Sequence, residues 1–129
     1  MREVNHDNRQ ALRDLFIGRR VVAVHDNNIT LDDDHVVTVE PNDGCGGCTN
    51  GRYTLERLAA VDNIITNIRV LKTPLNVPDD GFTTEYRYQL FVFAGAVEME
   101  LLSVAGDDGN GYYGTGYWLE VNSTTDTNG

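Results

Sequence analysis

Hydrophobic and polar residues alternate with a period of two along most of this chain, and one segment near the start breaks the rule. There Leu12, Leu15 and Phe16 fall at i, i+3 and i+4, Asp7 and Gln10 stand three apart as a capping box, and Gly18 follows. That pattern predicts one short amphipathic helix with a glycine stop. After Arg19 and Arg20, the run Val21-Val22-Ala23-Val24, the turn Asp26-Asn27-Asn28 and the return Ile29-Thr30-Leu31 predict a hairpin. The triple aspartate Asp32 to Asp34 turns the chain into a third strand, Val36 to Glu40, which Pro41 closes, so the first half reads as a three-stranded meander.

The second half repeats the theme. From Asn63 to Leu71, Ile64, Thr66, Ile68 and Val70 share one face, with Asn67 and Arg69 on the other. Tyr86, Tyr88, Leu90 and Val92 alternate with Glu85, Arg87 and Gln89; after the turn Ala94-Gly95-Ala96, Val97, Met99 and Leu101 alternate with Glu98 and Glu100. These two strands should pair. Tyr112 to Val121, with the only tryptophan, Trp118, reads as a closing strand, and residues 42–52, 73–82 and 106–111 read as loops. In Tyr53 to Ala59 the spacing of Leu55, Leu58 and Ala59 predicts a turn or two of helix. The expected fold is α+β: predominantly antiparallel β-sheet, two meanders forming a sandwich or half-open barrel, with the short N-terminal helix packed through Leu12, Leu15 and Phe16 on Ile64, Ile68 and Leu101. One domain is expected over residues 1–122, and a disordered polar tail over 123–129.

A chain of 129 residues with 40% hydrophobic content suits one core. No apolar run reaches membrane-spanning length and the N-terminus lacks the apolar stretch of a signal peptide, so the expectation is a soluble, cytoplasmic protein with no membrane partner. The net charge of −10 repels phosphate backbones, which argues against nucleic acid as a partner. The acids gather in turns such as Asp32-Asp33-Asp34, Asp79-Asp80 and Asp107-Asp108, where local hydrogen bonding explains them more simply than mimicry of nucleic acid does. Nine of the ten basic residues are arginine, and Lys72 is the single lysine.

Chemistry is sparse. The only cysteines lie in Cys45-Gly46-Gly47-Cys48. They are either half of a zinc site, completed by a histidine among His6, His25 and His35 or by a second chain, or a glycine-shaped turn with thiols that are free or locally paired. Zinc is the one cofactor the sequence admits, with Cys45 and Cys48 as its ligands; in a reducing cytosol free thiols are otherwise expected. Thioredoxin-like redox chemistry is disfavoured because the motif follows a meander and opens no helix. No Ser/His/Asp constellation, P-loop or dinucleotide fingerprint is present, and Glu98 and Glu100, two apart on a strand, look like a solvated face. The richest surface is Gly109 to Trp118, where glycines allow close approach and Asn110, Tyr112, Tyr113 and Tyr117 offer stacking and polar contacts to a ligand. The plainer alternative is a glycine-kinked edge strand covered by its own aromatics. An exposed aromatic last strand also predicts a homodimer that covers its edge.

The order of these features resembles a family of small, uncharacterised phage proteins that carry a domain of unknown function. The resemblance rests on Leu15-Phe16-Ile17-Gly18 entering a meander, the cysteine turn Gly44 to Cys48, the segment Leu55-Glu56-Arg57-Leu58, the aromatic strand Tyr88 to Phe93 and the intact Asn110-Gly111-Tyr112-Tyr113 element. In that family the cysteines are adjacent; here two glycines separate them. The resemblance implies phage origin and a β-rich domain, and no reaction. By analogy with small phage proteins made in an infected cell, the expected role is non-enzymatic: binding and sequestering a small nucleotide-like signalling ligand, or a host factor, as a counter-defence. The competing expectations are a protein-binding or nucleic-acid-mimic inhibitor of a host enzyme, and a small-substrate hydrolase or lyase using His35 or Glu98.

Overall fold

A computed structural model describes residues 2–42, 52–75, 85–107 and 116–123. Its elements, in chain order, are β1 (Arg2–Asn5), α1 (Arg9–Phe16), β2 (Val21–His25), β3 (Asn28–Leu31), β4 (His35–Pro41), β5 (Arg52–Leu58), β6 (Ile65–Pro74), β7 (Glu85–Ala94), β8 (Val97–Asp107) and β9 (Tyr117–Ser123). All strand pairs are antiparallel, in a five-stranded sheet of order β1-β9-β4-β3-β2 and a four-stranded sheet of order β5-β8-β7-β6. Both meanders expected from the alternation are present, as β2-β3-β4 and β6-β7-β8.

Register turns the alternation into a core. In the first sheet Ile29 lies opposite Val37 and Val37 opposite Val121, while Leu119 lies between Val4 and Val39. In the second, Leu90 lies between Val70 and Leu102, and Val104 between Leu55 and Tyr88. These residues and Leu12, Leu15 and Phe16 of α1 belong to one buried cluster, with Val70 and Leu55 packed at its margin. Burying each large aliphatic side chain contributes about 1.5–3 kcal/mol, which is what holds two sheets and one helix together.

Five details correct the sequence reading. The helix is capped by Asn8, not Asp7: the Asn8 side chain accepts the Ala11 N–H at 3.1 Å, and Gln10 donates instead to Asp14 at 2.8 Å. Asn and Asp are equivalent caps, so the start moves by one residue at no cost. Tyr53 to Leu58 is strand, not helix. A bulge between Leu55 and Arg57 adds a residue, so Leu55 and Leu58 reach the same face three apart and imitate helical spacing. A second bulge, between Ile65 and Asn67, puts Ile65 fully inside and leaves Ile64 45% exposed, so the helix packs near Ile65 and Ile68 and not on Ile64. A third gives β8 one extra residue at Leu101, and Leu101 and Leu102 both enter the core. Finally, β9 is an inner strand between β4 and β1, a strand the alternation did not reveal, so the edge invoked for a homodimer is already paired within the chain. The segments 43–51, 76–84, 108–115 and 124–129 lie outside the described residues. No helix of the described residues is long and apolar enough to cross a membrane.

Candidate functional site

The inner face of the second sheet changes character toward one end. Along β6 the alternation Ile68, Val70 continues to Lys72, and along β7 the phase Leu90, Tyr88 continues to Tyr86; register sets Lys72 opposite Tyr88 and Pro74 opposite Tyr86. Aliphatic pairing thus gives way to rings and one ammonium. Lys72 Nζ lies 4.1 Å from the centroid of the Tyr86 ring and 5.5 Å from that of Tyr88, a cation–π arrangement. Tyr88 meets Tyr53 edge-on, with centroids 5.6 Å apart.

From the first sheet, His6 comes in just after β1. Its imidazole meets Tyr88 edge-on at 4.6 Å between centroids and Tyr117 at 5.5 Å. Two features fix this position. The His6 N–H donates to the Tyr117 carbonyl at 3.3 Å, and the backbone of Gly116 passes so close that a Cβ there would meet the imidazole at 3.0 Å. Tyr117 is buried, and burial pushes its phenol well above the ordinary value of 10.0, so it is a neutral hydroxyl at any physiological pH.

Between these groups lies a cleft of about 390 Å3, bordered by His6, Asp7, Arg9, Lys72, Tyr88 and Tyr117 and also touching Val70, Leu71 and Gln89. Its size falls in the range of about 300–1,000 Å3 typical of small-molecule sites. A smaller cleft of about 270 Å3 adjoins it along the groove between α1 and β6, sharing Arg9 and Val70 and adding Arg13 and Ile68.

Of the residues expected to bind a ligand, Tyr117 lies in this site, as part of its wall. Asn110, Tyr112 and Tyr113 lie outside the described residues, as do Cys45 and Cys48. The residues that flank those segments nonetheless stand together at the cleft end. The Asn42 N–H donates to the Gly116 carbonyl at 2.9 Å, the Tyr53 N–H to the Asn42 carbonyl at 2.7 Å, and Asp107 lies opposite both Arg52 and Glu85. Among the described residues no three His, Cys, Asp or Glu side chains converge on a metal position.

The groups considered for acid–base work face charged or polar neighbours elsewhere. His35 Nδ1 lies 2.9 Å from Asp33, which also receives Arg19 Nε at 2.8 Å. Burial alone would raise the Asp33 carboxyl, but the hydrogen bonds from His35 and the charges of Arg19 and His35 hold it below its usual value. Glu98 is clasped by Arg69 through two bonds of 2.9 Å, and Glu100 accepts from Gln89 and faces Arg57 at 3.6 Å.

His6, Lys72, Tyr88 and Arg9 were not picked out from the sequence as ligand contacts. The signal for Lys72 was present: it is the only lysine, two positions beyond Val70 on an inward phase. Nothing local marked His6, because it depends on the unrecognised pairing of β1 with β9.

Residues 14–119 match a domain of unknown function, DUF7448, and the chain belongs to that family. No curated protein and no solved structure matches the chain.

Proposed function

We propose that this protein binds and sequesters a small, flat, nucleotide-like ligand in the cleft bordered by His6, Lys72, Tyr88 and Tyr117, and that it does so without chemical turnover. The observation that carries this reading is the meeting of edge-on and tilted rings with cationic side chains around a cleft of about 390 Å3. Rings offer faces and edges to a heterocycle, Asp7 offers an acceptor to hydroxyls, and Lys72 and Arg9 offer charge to an anionic group. On this reading the two sheets form a half-open sandwich whose unclosed end is the binding mouth. The protein is a phage product acting in the cytoplasm of the infected host cell, the setting in which sequestration of a signalling nucleotide would serve as counter-defence. Phage origin rests on the family resemblance alone.

The test is incubation of the full chain with a panel of nucleosides and nucleotides, followed by heat denaturation and analysis of what is released. Retention of a panel member with recovery of the unchanged compound supports sequestration. Recovery of a cleaved or rearranged product defeats it in favour of a hydrolase or lyase, and retention of no panel member defeats the nucleotide reading.

A further inference from the structure

We infer that the groove between α1 and β6 is a phosphate subsite, built on Arg9 and Arg13, and that the ligand of the adjoining ring-lined cleft is therefore a nucleoside phosphate and not a free nucleoside. The inference rests on the cleft reading above and adds a second compartment to it.

Arg9 and Arg13 lie four apart on α1, so they project over the same groove. The placement of Arg9 works against the helix, whereas Arg13 stands in the last turn, where a cation suits the dipole. Like charges at this spacing repel, and Arg9 opens the first turn, where the helix dipole favours acids and where this helix has none. The chain as a whole holds 20 acidic residues against 10 basic ones, yet neither guanidinium has a carboxylate partner among the described residues; Arg13 donates only to the Asn67 side-chain oxygen, at 2.6 Å. Arg69 also borders the groove, but its guanidinium is turned to the outer face and spent on Glu98.

Carboxylate placement separates the two compartments. Asp7 borders the ring-lined cleft and repels phosphate from that end, where it suits a hydroxyl donor; among the described residues no acid borders the arginine groove. Because the two clefts share Arg9 and Val70, one ligand reaches both: rings beside His6 and Tyr88, phosphate oxygens on the forked donors of Arg9 and Arg13.

The experiment is calorimetric titration of the full chain with the four common ribonucleosides, their 5′-monophosphates and inorganic phosphate. It is run on the wild type, on the double variant Arg9→Gln/Arg13→Gln and on Arg9→Lys/Arg13→Lys. Both arginines are exposed, so the variants are expected to fold, and circular dichroism checks this. The expected result is a monophosphate that binds about tenfold or more tightly than its nucleoside. That advantage disappears in the glutamine variant, returns in part in the lysine variant, and shrinks with added salt. Equal affinity for nucleoside and monophosphate, or an advantage that survives in the glutamine variant, overturns the subsite and leaves the ring-lined cleft standing. Inorganic phosphate binding as tightly as the best monophosphate overturns the two-part ligand. Failure of every nucleoside and monophosphate to bind overturns the cleft reading, and the subsite falls with it.

Discussion

The outer face of the second sheet and the clefts beside α1 draw on the same residue types and arrange them in opposite ways. On the outer face each arginine of the described network is matched to a carboxylate. Arg87 reaches Glu56 through bonds of 2.7 and 3.1 Å, Arg69 clasps Glu98, and Arg57 faces Glu100. Ser103, buried beneath this layer, donates to Glu56 at 2.8 Å. Beside α1, by contrast, Arg9 and Arg13 meet no carboxylate among the described residues, and Arg13 donates to the Asn67 side-chain oxygen. A cation matched to an acid is neutralised within the fold; an arginine without such a match keeps its field available to a ligand. On the proposed reading, the difference separates a structural outer face from a binding side at the clefts, in a protein whose overall charge repels anions.

The largest effect that sharpens this contrast comes from backbone. Gly116 has φ +69° and Gly95, in the β7–β8 turn, φ +59°; an added Cβ would meet His6 at 3.0 Å in the first case and Asn63 Nδ2 at 2.7 Å in the second. Left-handed backbone costs a non-glycine residue about 1–2 kcal/mol before any crowding. Gly116→Ala and Gly95→Ala should therefore each lower stability by about 2 kcal/mol in urea denaturation. Only Gly116→Ala displaces the imidazole, so only it should abolish nucleotide binding. Equal binding by the two variants would show that the position of His6 does not matter to the cleft.

The same positions show where the sequence was legible. Strand phase was readable wherever alternation ran unbroken: Tyr88, Leu90 and Val92 are buried as expected, and so are Leu12, Leu15 and Phe16 of the helix. It failed at bulges, because one inserted residue shifts the phase without leaving a compositional mark. Ile64 changed places with Ile65, and the Leu55–Leu58 spacing passed for helix. The site was less legible than the fold. Tyr117, singled out through its glycine-rich neighbourhood, borders the cleft, whereas His6 reaches the cleft only because β1 pairs with β9 across more than a hundred residues of chain, a contact that no local pattern encodes. In the sequence Lys72 stands out only as the single lysine, and the register with Tyr88 is what makes it a wall of the cleft.

A smaller effect tests the outer face. The Glu56 carboxyl lies below its ordinary value of 4.5 chiefly because Arg87 hydrogen-bonds it, with Ser103 and the charge of Arg87 adding to this against the opposing effect of burial. A carboxyl whose pKa is lower in the folded state contributes stability that is present above its unfolded value and is lost as pH falls through its folded value. Wild type should accordingly be more stable than Glu56→Gln by about 1 kcal/mol at pH 7, a modest figure because the pair is partly solvated. The two proteins should converge as pH drops below 4.5. Ligand affinity should not change. A loss of binding in Glu56→Gln would mean that the outer network and the clefts are coupled, and the contrast between them would not hold.

The smallest expected change is the most demanding test, because it predicts that a charged residue contributes almost nothing to the fold. Arg9 is exposed, has no ion pair among the described residues, repels Arg13 one turn away and stands at the helix end that favours acids. Removing an i, i+4 like-charge pair returns about 0.2–0.5 kcal/mol to a helix, and the dipole contributes in the same direction. Against this, Arg9 is one of only ten cations in a chain of net charge −10, and its loss adds to the general repulsion among acids. The two tendencies nearly cancel, so Arg9→Gln should shift unfolding stability by no more than about 0.5 kcal/mol in either direction. The comparison to make is with Arg87→Gln, which strips Glu56 of its guanidinium partner and should cost about 1 kcal/mol. Should Arg9→Gln cost as much as Arg87→Gln, Arg9 would be tied into the fold as firmly as the outer arginines, and its charge would no longer count as held for a ligand.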